Sequence, residues 1–583
     1  MSRPPWTAVA VAVIVIAGTA VFANSLPNAF HFDDSHAVVE NPWIRSFRHL
    51  PRWFTDVSSF TVLRENQNYR PVLLATYALN YALGGLRPVA FRWFNLAGHL
   101  ASAVLVLLLV LELLRRTGLA AGAAPPAGAS GAPRPGDAVW VAFLAGAIFA
   151  LNPLQSEIVN YVSSRSDGLC AFLYLLAFYL WVRANAAARP GRAIALRLGA
   201  VAAFAAGLLV KEVAITLPAT LWLWEVLIER QAGIRLGWRR CAAYAALGAV
   251  AIAYLVLRAH LLRGYDIRYR SVTPPLEYFY TQLHAWFYYV RLFVVPVGLC
   301  VDPEYPLSRT FLEPRVVMAV VGFVGVVGLC WWLRRRRPEV TFALGFFWLT
   351  LLPTSSFLPI AEAVNEHRPY LGNAGLCLLA ALLLGAVLPR LLGAKVARGA
   401  AVAVLVLLAA LTVMRNRVWH DDLSLWQDVV RQAPRSGRAH LNHGLALLGR
   451  GRTDEALAEY NECARHWPGY SYCYINRSII YRERGEWTRA LADLKIAERL
   501  TPTLFWVPFY QGVTQDAMGQ PGAAAAAFAR TLAISPGFAD ARYRRAQALQ
   551  KLGRTGEARD EAARAAALGH RPAARLQAEL ATP

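Results

Sequence analysis

The sequence predicts an all-α protein in which a membrane-spanning helix bundle is followed by a helical repeat array. Hydrophobic residues make up 56% of the 583 residues, and the apolar runs reach the length needed to cross a bilayer. Near the carboxyl end, prolines recur every 34 residues, at Pro434, Pro468, Pro502 and Pro536. These two observations predict a polytopic domain over residues 1–415 and a solenoid after it.

A period of 34 residues is that of the tetratricopeptide repeat, a pair of antiparallel helices. Two further columns keep the same phase, one of glycines and one of alanines. Their members are Gly451, Gly485, Gly519 and Gly553, and Ala456, Ala490, Ala524 and Ala558. Small residues in phase suit helices that pack closely, so we predict about four repeats over residues 435–570. A linker helix over 416–434 precedes them, and a tail over 571–583 follows.

The polytopic domain contains about eleven predicted spans. They lie near residues 7–23, 91–114, 139–156, 168–184, 196–210, 213–229, 241–260, 315–333, 340–357, 371–390 and 399–414. The stretch from Tyr278 to Val297 is long enough to cross but carries His284 and Arg291. A crossing there would break the loop charge pattern described next, so we predict an interfacial or re-entrant helix.

Basic residues occupy alternate loops, for example at Arg115 and Arg116 and again from Arg334 to Arg337. The positive-inside rule makes those loops cytoplasmic. The amino terminus is then cytoplasmic and, after an odd number of spans, the repeats are extracytoplasmic. This predicts an integral multi-pass protein of the plasma (inner) membrane. The net charge of +23 is thereby explained by topology, and we predict no nucleic-acid partner.

Five of the seven cysteines, from Cys170 to Cys377, lie in or beside apolar runs, where a packed thiol is the default. Only Cys463 and Cys473 share the repeat region. An oxidising compartment would allow a bond between them. Because the linker around Pro468 separates their helices, we expect two buried, reduced thiols.

A pair of carboxylates, Asp33 and Asp34, opens the long outer loop over residues 24–90. A partly dehydrated carboxylate can serve as a general base or a metal ligand because its environment adjusts its pKa. A solvated turn that caps an interfacial helix would show the same pair. A divalent metal between the two aspartates stays open, although no His or Cys cluster requires one.

Other charged residues map to the same outer boundary. Charges there are costly unless they pair or contact a ligand. A snorkelling ion pair and an interfacial anchor are the simpler alternatives. The residues are Glu157, Arg165 and Asp167, then Lys211 and Glu212, then Glu366, His367 and Arg368.

Taken in order, these motifs resemble the transmembrane and tetratricopeptide-repeat protein O-mannosyltransferases and their bacterial relatives, which have the GT-C glycosyltransferase fold. Two departures are His367, which separates a glutamate and an arginine usually adjacent, and the short repeat array. The matching pieces are Phe32 to Asp34, Tyr69 to Pro71, Asn152 and Pro153 with Glu157, Ser164 to Asp167, Lys211 and Glu212, and Glu366 to Leu371.

The resemblance implies a polyprenyl-phosphate sugar donor, such as one carrying mannose, and an inverting transfer to an acceptor hydroxyl. Asp33 or Asp34 would be the base, with a slight preference for Asp34 because it lies farther from the span end. Basic groups would hold the donor phosphate, and nearby polar groups would support them. The phosphate-binding candidates are Arg165, Lys211 and Arg368, and the supporting residues are Glu157, Asp167, Glu212, Glu366 and His367.

The repeats predict a polypeptide partner, because stacked helix pairs present a concave surface suited to extended peptides. That polypeptide could be the exported Ser/Thr acceptor or a docking subunit. Two other functions remain open from the sequence. One is a nonenzymatic scaffold for an envelope complex, and the other is a GT-C enzyme acting on a lipid or glycan acceptor.

Overall fold

The computed structural model describes residues 5–63, 66–118, 135–231, 237–263, 273–357, 359–360 and 362–581. Within these ranges the chain forms α-helices with short 3₁₀ and π turns and no strand. It divides into two compact units, Met1–Ser424 and Leu425–Pro583. The predicted all-α class, with apolar helices first and repeats second, is confirmed.

Eight helices of the described chain are long and apolar enough to cross a membrane. A bent pair, Asp137–Leu151 with Pro153–Asn160, makes a ninth if it counts as one span broken by 52°. The eight are Trp6–Ser25, Pro88–Arg116, Arg165–Asn185, Pro190–Leu208, Trp238–Leu261, Pro314–Leu333, Asn373–Leu392 and Ala394–Val418. The protein is therefore a multi-pass membrane protein.

The other two predicted spans correspond to shorter helices. Pro338–Leu351 is apolar but only 14 residues long. Leu217–Trp224 continues into a π-helical turn, Glu225–Glu229. All eleven predicted runs thus coincide with helical segments, although fewer reach full bilayer length. The helix Pro275–Val294 covers most of the stretch from Tyr278 to Val297 and lies outside the set that is apolar enough to cross.

Helices of the membrane unit are numbered in chain order. Many begin at a proline, whose fixed φ and missing N–H suit the first helical turn. They are α1 Pro5–Phe22, α2 Leu50–Thr55, α3 Pro71–Gly84, α4 Pro88–Arg116, α5 Pro135–Leu151, α6 Ser156–Asn160, α7 Arg165–Asn185, α8 Pro190–Leu208, α9 Leu217–Trp224, α10 Trp238–Leu261, α11 Pro275–Val294, α12 Pro314–Leu333, α13 Pro338–Leu351, α14 Asn373–Leu382, α15 Leu388–Leu392 and α16 Ala394–Val418.

Helix α4 is the centre of the bundle, packed against α1, α5 and α7. Close approach at this point depends on Gly146 of α5. A Cβ there would lie 2.8 Å from Ile14 Cδ1 and 2.9 Å from the Ala103 carbonyl oxygen. Small residues of this kind let helices pack in a bilayer, where burial of apolar surface gives little drive.

The outer loop over 24–90 folds into short helices with a core of its own. Trp53 of α2 and Tyr77 of α3 pack with Phe91 of α4 and with Val162. Each of these four side chains is almost fully buried. The loop is therefore a compact cap on the end of the bundle where α4 and α7 begin.

The second unit is a stack of helix pairs that matches the predicted repeats. A first helix, α17, leads into four pairs and a closing helix, α26. They are α17 Asp422–Gln432, α18 Gly437–Leu448, α19 Thr453–His466, α20 Ser471–Glu483, α21 Trp487–Leu500, α22 Trp506–Ala517, α23 Pro521–Ile534, α24 Ala539–Lys551, α25 Thr555–Ala567 and α26 Arg571–Glu579. The predicted tail over 571–583 thus begins as a helix, which packs on α25.

The regular spacing of small residues has a direct structural cause. Gly451 and its three equivalents adopt φ values of 72° to 75°, a left-handed conformation that favours glycine at the turn between paired helices. Gly444 lies beneath an aromatic ring, and a Cβ there would come within 2.5 Å of Tyr460. The alanine column, exemplified by Ala456, is fully buried.

The expectation of two reduced thiols in the repeats is wrong, because Cys463 and Cys473 form a disulfide with their Cα atoms 5.7 Å apart. The intervening turn is tight. The Trp467 N–H donates to the Cys463 carbonyl at 2.8 Å, and the Trp467 and Tyr470 rings stack at 4.0 Å. This turn brings the end of α19 beside the start of α20, so the bond joins the first two repeats.

Candidate active site

The two aspartates that open the outer loop have different environments. Asp34 is completely buried. Its carboxylate accepts hydrogen bonds from the His31 N–H at 3.1 Å, the Val162 N–H at 3.3 Å, and the Ser163 N–H and hydroxyl at 2.8 and 2.7 Å. Burial raises the pKa of Asp34, and the Ser163 hydroxyl opposes that rise. The residue ties the start of the outer loop to the turn before α7.

Asp33, in contrast, keeps its side chain 60% exposed. Its Oδ1 lies 3.2 Å from His36 Nε2, and its backbone N–H donates to the Tyr161 hydroxyl at 3.3 Å. The residue before it, Phe32, has φ 47°. A non-glycine residue in this left-handed region is strained, and such strain clusters at functional sites. Asp33 is therefore the carboxylate of the pair that a ligand can reach, so the geometry does not favour Asp34 as the base.

Aromatic side chains hold this loop in place. The Tyr161 ring contacts the Phe32 ring at 5.5 Å and stacks on Trp419 at 6.2 Å. Burial, together with the Asp33 and Asp34 carboxylates, raises the pKa of Tyr161 well above its ordinary value, so this phenol stays neutral.

The loop is also bonded to the end of the last span. His31 bridges the Trp419 carbonyl oxygen and Asp422 Oδ1, with both bonds at 2.8 Å. Two segments far apart in the chain thus fix the backbone that presents Asp33.

A second group of charged residues forms what we call the charge cluster: Arg70, Glu157, Asp167, Lys211, Glu212 and His367. Lys211 Nζ lies 2.7 Å from both Asp167 oxygens, and His367 Nδ1 lies 2.7 Å from Glu157 Oε1. Arg70 Nη2 is 3.9 Å from Glu212 Oε2. Asp167 also interacts electrostatically with His367 and Arg70, which joins the three pairs.

The pKa values of two members of the charge cluster are shifted by their neighbours. Burial disfavours the charged form of His367, but Glu157 and then Asp167 outweigh it, so the pKa of His367 lies above its ordinary value. Burial opposes ionisation of Glu212, yet Arg70, Arg258 and Lys211 together lower its pKa to about 2. Three basic side chains therefore face three acidic ones.

Spare hydrogen-bonding capacity remains in the charge cluster. Arg70 Nε and Glu157 Oε2 are buried and have no hydrogen-bond partner within the described ranges. Buried polar atoms are nearly always paired, so each such atom calls for a ligand or a solvent molecule. The predicted residues Glu157, Asp167, Lys211, Glu212 and His367 are thus brought together, and Arg70 joins them.

Three other predicted site residues, Arg165, Arg368 and Glu366, are bonded to other parts of the protein. Arg165 is buried and donates to Asn95 Oδ1 at 2.7 Å, Thr76 Oγ1 at 3.2 Å and the Phe91 carbonyl at 2.9 Å. This guanidinium holds the outer loop onto α4. Such a fully bonded position does not favour the predicted contact with a donor phosphate.

Arg368 and Glu366 fix the chain before α14. Arg368 donates to the Tyr278 hydroxyl at 3.2 Å, to the Ala363 carbonyl at 2.6 Å and to the Glu362 carbonyl. Glu366 accepts from the Cys300 N–H and from Arg415 at 3.3 Å. Neither side chain is arranged to receive a phosphate, so the predicted role of Arg368 is not favoured either.

Sequence reasoning missed several residues that shape the site. Arg70 stands in the quoted Tyr69 to Pro71 motif, and its position before a helix-starting proline was the available signal. His36 follows the acidic pair by one turn. No pattern in the sequence connects Tyr161 or Trp419 with Asp33, because that relation exists only after folding.

The residues present do not fit a divalent metal between the two aspartates. Both Asp34 oxygens accept protein hydrogen bonds, so the pair offers one free carboxylate, and stable sites for hard cations need several oxygen ligands. Elsewhere in the described chain no group of three His, Cys, Asp or Glu side chains could hold a metal ion.

The chain is similar to protein O-mannosyl-transferases of animals. It is 25% identical over 504 residues to TMTC4 of Mus musculus, covering 75% of this chain and 64% of that one. It is 25% identical over 532 residues to human TMTC1, covering 82% of this chain and 57% of that one. It is 26% identical over 516 residues to Tmtc3 of Drosophila melanogaster, covering 78% of this chain and 54% of that one. No family model matches the chain.

Solved structures match about a quarter of the chain. A crystal structure of MamA is 20% identical and covers 26% of this chain, with a TM-score of 0.24. A thermophilic TPR protein of Thermus thermophilus is 24% identical and covers 27%, also with a TM-score of 0.24. The curated relatives match far more of the chain, and it spans between about half and two thirds of their length. The resemblance to the TMTC protein O-mannosyl-transferases therefore extends over both units of this protein.

Proposed function

We propose that this protein is a membrane glycosyltransferase that moves a sugar, mannose, from a polyprenyl-phosphate donor to a Ser or Thr hydroxyl of an exported polypeptide. The similarity to protein O-mannosyl-transferases supports the reaction class. The observation that carries the proposal is the division of the acidic pair. The Asp34 carboxylate is buried and hydrogen-bonded, whereas the Asp33 carboxylate is exposed and follows Phe32, whose φ is left-handed.

In this proposal Asp33 is the general base. Its carboxylate takes the proton from the acceptor hydroxyl while the oxygen attacks the anomeric carbon. The bond from that carbon to the phosphate oxygen breaks, and the single displacement inverts the configuration. His36 Nε2, at 3.2 Å from Asp33, orients the carboxylate. General-base catalysis contributes about 10²- to 10⁴-fold to a rate.

The charge cluster supplies the positive charge that receives the leaving phosphate. Asp167 holds Lys211 and Glu157 holds His367, so both basic side chains are fixed in place before the donor binds. Arg70 adds an unused Nε donor. Preorganised cations of this kind stabilise developing negative charge without the cost of reorganisation. Arg165, Arg368 and Glu366 act indirectly, by fixing the segments that carry these groups.

The proposal places the reaction and the repeats on the extracytoplasmic side. The alternating arginine loops support that orientation. The disulfide between Cys463 and Cys473 supports it independently, because such bonds persist in oxidising compartments. Repeats carried by the same chain raise the local concentration of a polypeptide acceptor.

The test compares membranes carrying Asp33→Asn, Glu40→Gln or the unaltered chain, with polyprenyl-phosphate mannose and a Ser/Thr-rich peptide. Glu40 is an exposed carboxylate in the same loop and serves as the matched control. Asp33→Asn should lower mannosyl transfer by about 10²-fold or more, while Glu40→Gln transfers normally. Normal transfer by Asp33→Asn, or an equal loss in Glu40→Gln, contradicts the assignment of Asp33.

A further inference from the structure

A polar cavity lies at the end of the membrane unit opposite Asp33, where α4 and α7 finish. Its volume is about 220 Å³, and it opens between the end of α4, the π-helical turn Glu225–Glu229 and the turn from α12 to α13. We call it the arginine pocket. Its polar lining consists mainly of Arg116, Thr117, Gln231, Arg335, Arg336 and Arg337.

The charge of the arginine pocket is only partly neutralised. Arg116 is bonded to Glu229 and to the Val182 carbonyl at 2.7 Å, and Arg337 lies 3.4 Å from Glu339. Arg335 and Arg336 are exposed and make no ion pair with any residue in the described ranges. Two guanidinium groups are therefore available to a ligand in a cavity already positive.

An apolar cavity of about 40 Å³ lies deeper along the same helices. Leu113, in its lining, is one turn before Arg116, and Phe342 is one turn after Glu339. The Arg116 guanidinium lies 5.7 Å from the ring of Trp224, which also lines the apolar cavity. An apolar cavity of this size is too small for a lipid acyl chain, so the ligand chemistry follows from the arginine pocket itself.

Two exposed tryptophans locate the arginine pocket at the depth of lipid headgroups. Trp331 and Trp332 end α12 with 68% and 57% of their surfaces exposed. Arg334 stacks over the first ring at 3.6 Å and Arg336 over the second at 4.8 Å. Tryptophan beside arginine is the composition of a membrane interface.

We propose that the arginine pocket binds the phosphate headgroup of an anionic membrane lipid. Arg335 and Arg336 contact the phosphate oxygens, and Arg116 adds fixed positive charge behind them. Guanidinium groups bind phosphate through paired, charge-assisted hydrogen bonds. This site is separate from the proposed transfer reaction and does not depend on it.

The test measures the affinity of the purified full chain for dioleoylphosphatidylglycerol by native mass spectrometry in detergent. Dioleoylphosphatidylcholine and inorganic phosphate are the comparison ligands. The variant Arg335→Gln/Arg336→Gln is compared with Arg189→Gln/Arg192→Gln, which removes two exposed arginines at the start of α8, at the same end of the bundle.

An arginine near an anionic lipid surface contributes a factor of about five, so Arg335→Gln/Arg336→Gln should bind phosphatidylglycerol about 30-fold more weakly. The control should change the affinity by less than about two-fold, because it leaves the pocket intact. Equal binding of the two phospholipids overturns the proposal, as does an equal loss in both variants. Inorganic phosphate that displaces the lipid at equal concentration would overturn it too, by showing that the pocket recognises free anion alone.

Discussion

Replacing Asp34 by asparagine should unfold the site locally rather than remove a reacting group. The carboxylate is buried and accepts four hydrogen bonds, three of them from backbone N–H groups. An asparagine has the same shape but offers one acceptor oxygen, and its NH₂ would face a backbone donor. Hydrogen bonds to a charged group contribute about 1.5 to 3 kcal/mol each, so losing two should destabilise the outer loop by about 3 to 6 kcal/mol.

Hydrogen–deuterium exchange of the purified protein separates this effect from catalysis. Asp34→Asn should increase exchange over residues 31–37 and around Ser163, and transfer should fall with it. Asp33→Asn should lower transfer while leaving exchange in both segments unchanged, because Asp33 is mostly exposed. Protected segments in Asp34→Asn, combined with lost transfer, would refute the reasoning and return the base assignment to Asp34.

Other parts of the molecule give three more predictions. Glu157 raises the pKa of His367, so the pair stabilises the folded protein fully below the unfolded pKa of about 6.5, and this stabilisation is lost as pH rises through the folded pKa. The variant His367→Gln should therefore flatten that part of a plot of melting temperature against pH. An unchanged plot contradicts the pairing of His367 with Glu157. Reduction should release two additional reactive thiols from the denatured protein, and the absence of that gain would show that Cys463 and Cys473 are not bonded. The variant Cys463→Ala/Cys473→Ala should lower the free energy of unfolding of the repeats by about 2 to 3 kcal/mol. A reporter that works only outside the cytoplasm should be active when it is fused after the carboxyl terminus, and a reporter that works only in the cytoplasm should be active when it is fused at Arg336. If the fusion at Arg336 is exported instead, α11 crosses the membrane.

The architecture was predictable because its signals are local and periodic. Apolar runs mark the spans whatever their neighbours are, and the 34-residue columns mark the repeats. The columns even predict particular contacts, since Gly444 and Ala456 occur where the paired helices touch. What the periodicity could not supply is the close turn from Trp467 to Tyr470, which brings Cys463 and Cys473 together.

The candidate site was predictable as a set of residues but not as a set of roles. The difference between Asp33 and Asp34 depends on Ser163, which lies 129 positions further along the chain. Arg165 and Arg368 were plausible phosphate ligands because arginine at a membrane boundary needs a partner. Their partners are protein carbonyls, amides and hydroxyls, and a sequence does not distinguish such partners from a ligand.

The exposed position of Asp33, beside the left-handed backbone of Phe32, is held by a polar network that joins α4, α6 and α16 to the segment after α1. Asn28 Nδ2 donates to Asn160 Oδ1 and Asn160 Nδ2 donates to Asn416 Oδ1, both at 2.8 Å and both buried. Arg92 of α4 donates to the carbonyls of Asn28 and Ala29. Buried amides in a bilayer are costly unless each is paired, so this chain of bonds fixes one relative position of α4, α6 and α16.

That constraint bears on the proposed role of Asp33, whose side chain is mostly exposed. The backbone at Phe32 would relax if either flank were free, because a left-handed φ persists only where the surroundings determine it. The asparagine network fixes the chain before Phe32, and the bonds to Asp34 fix the chain after it. The position of the Asp33 side chain is therefore set by the segments beneath it, and the proposed general base would need such a fixed position.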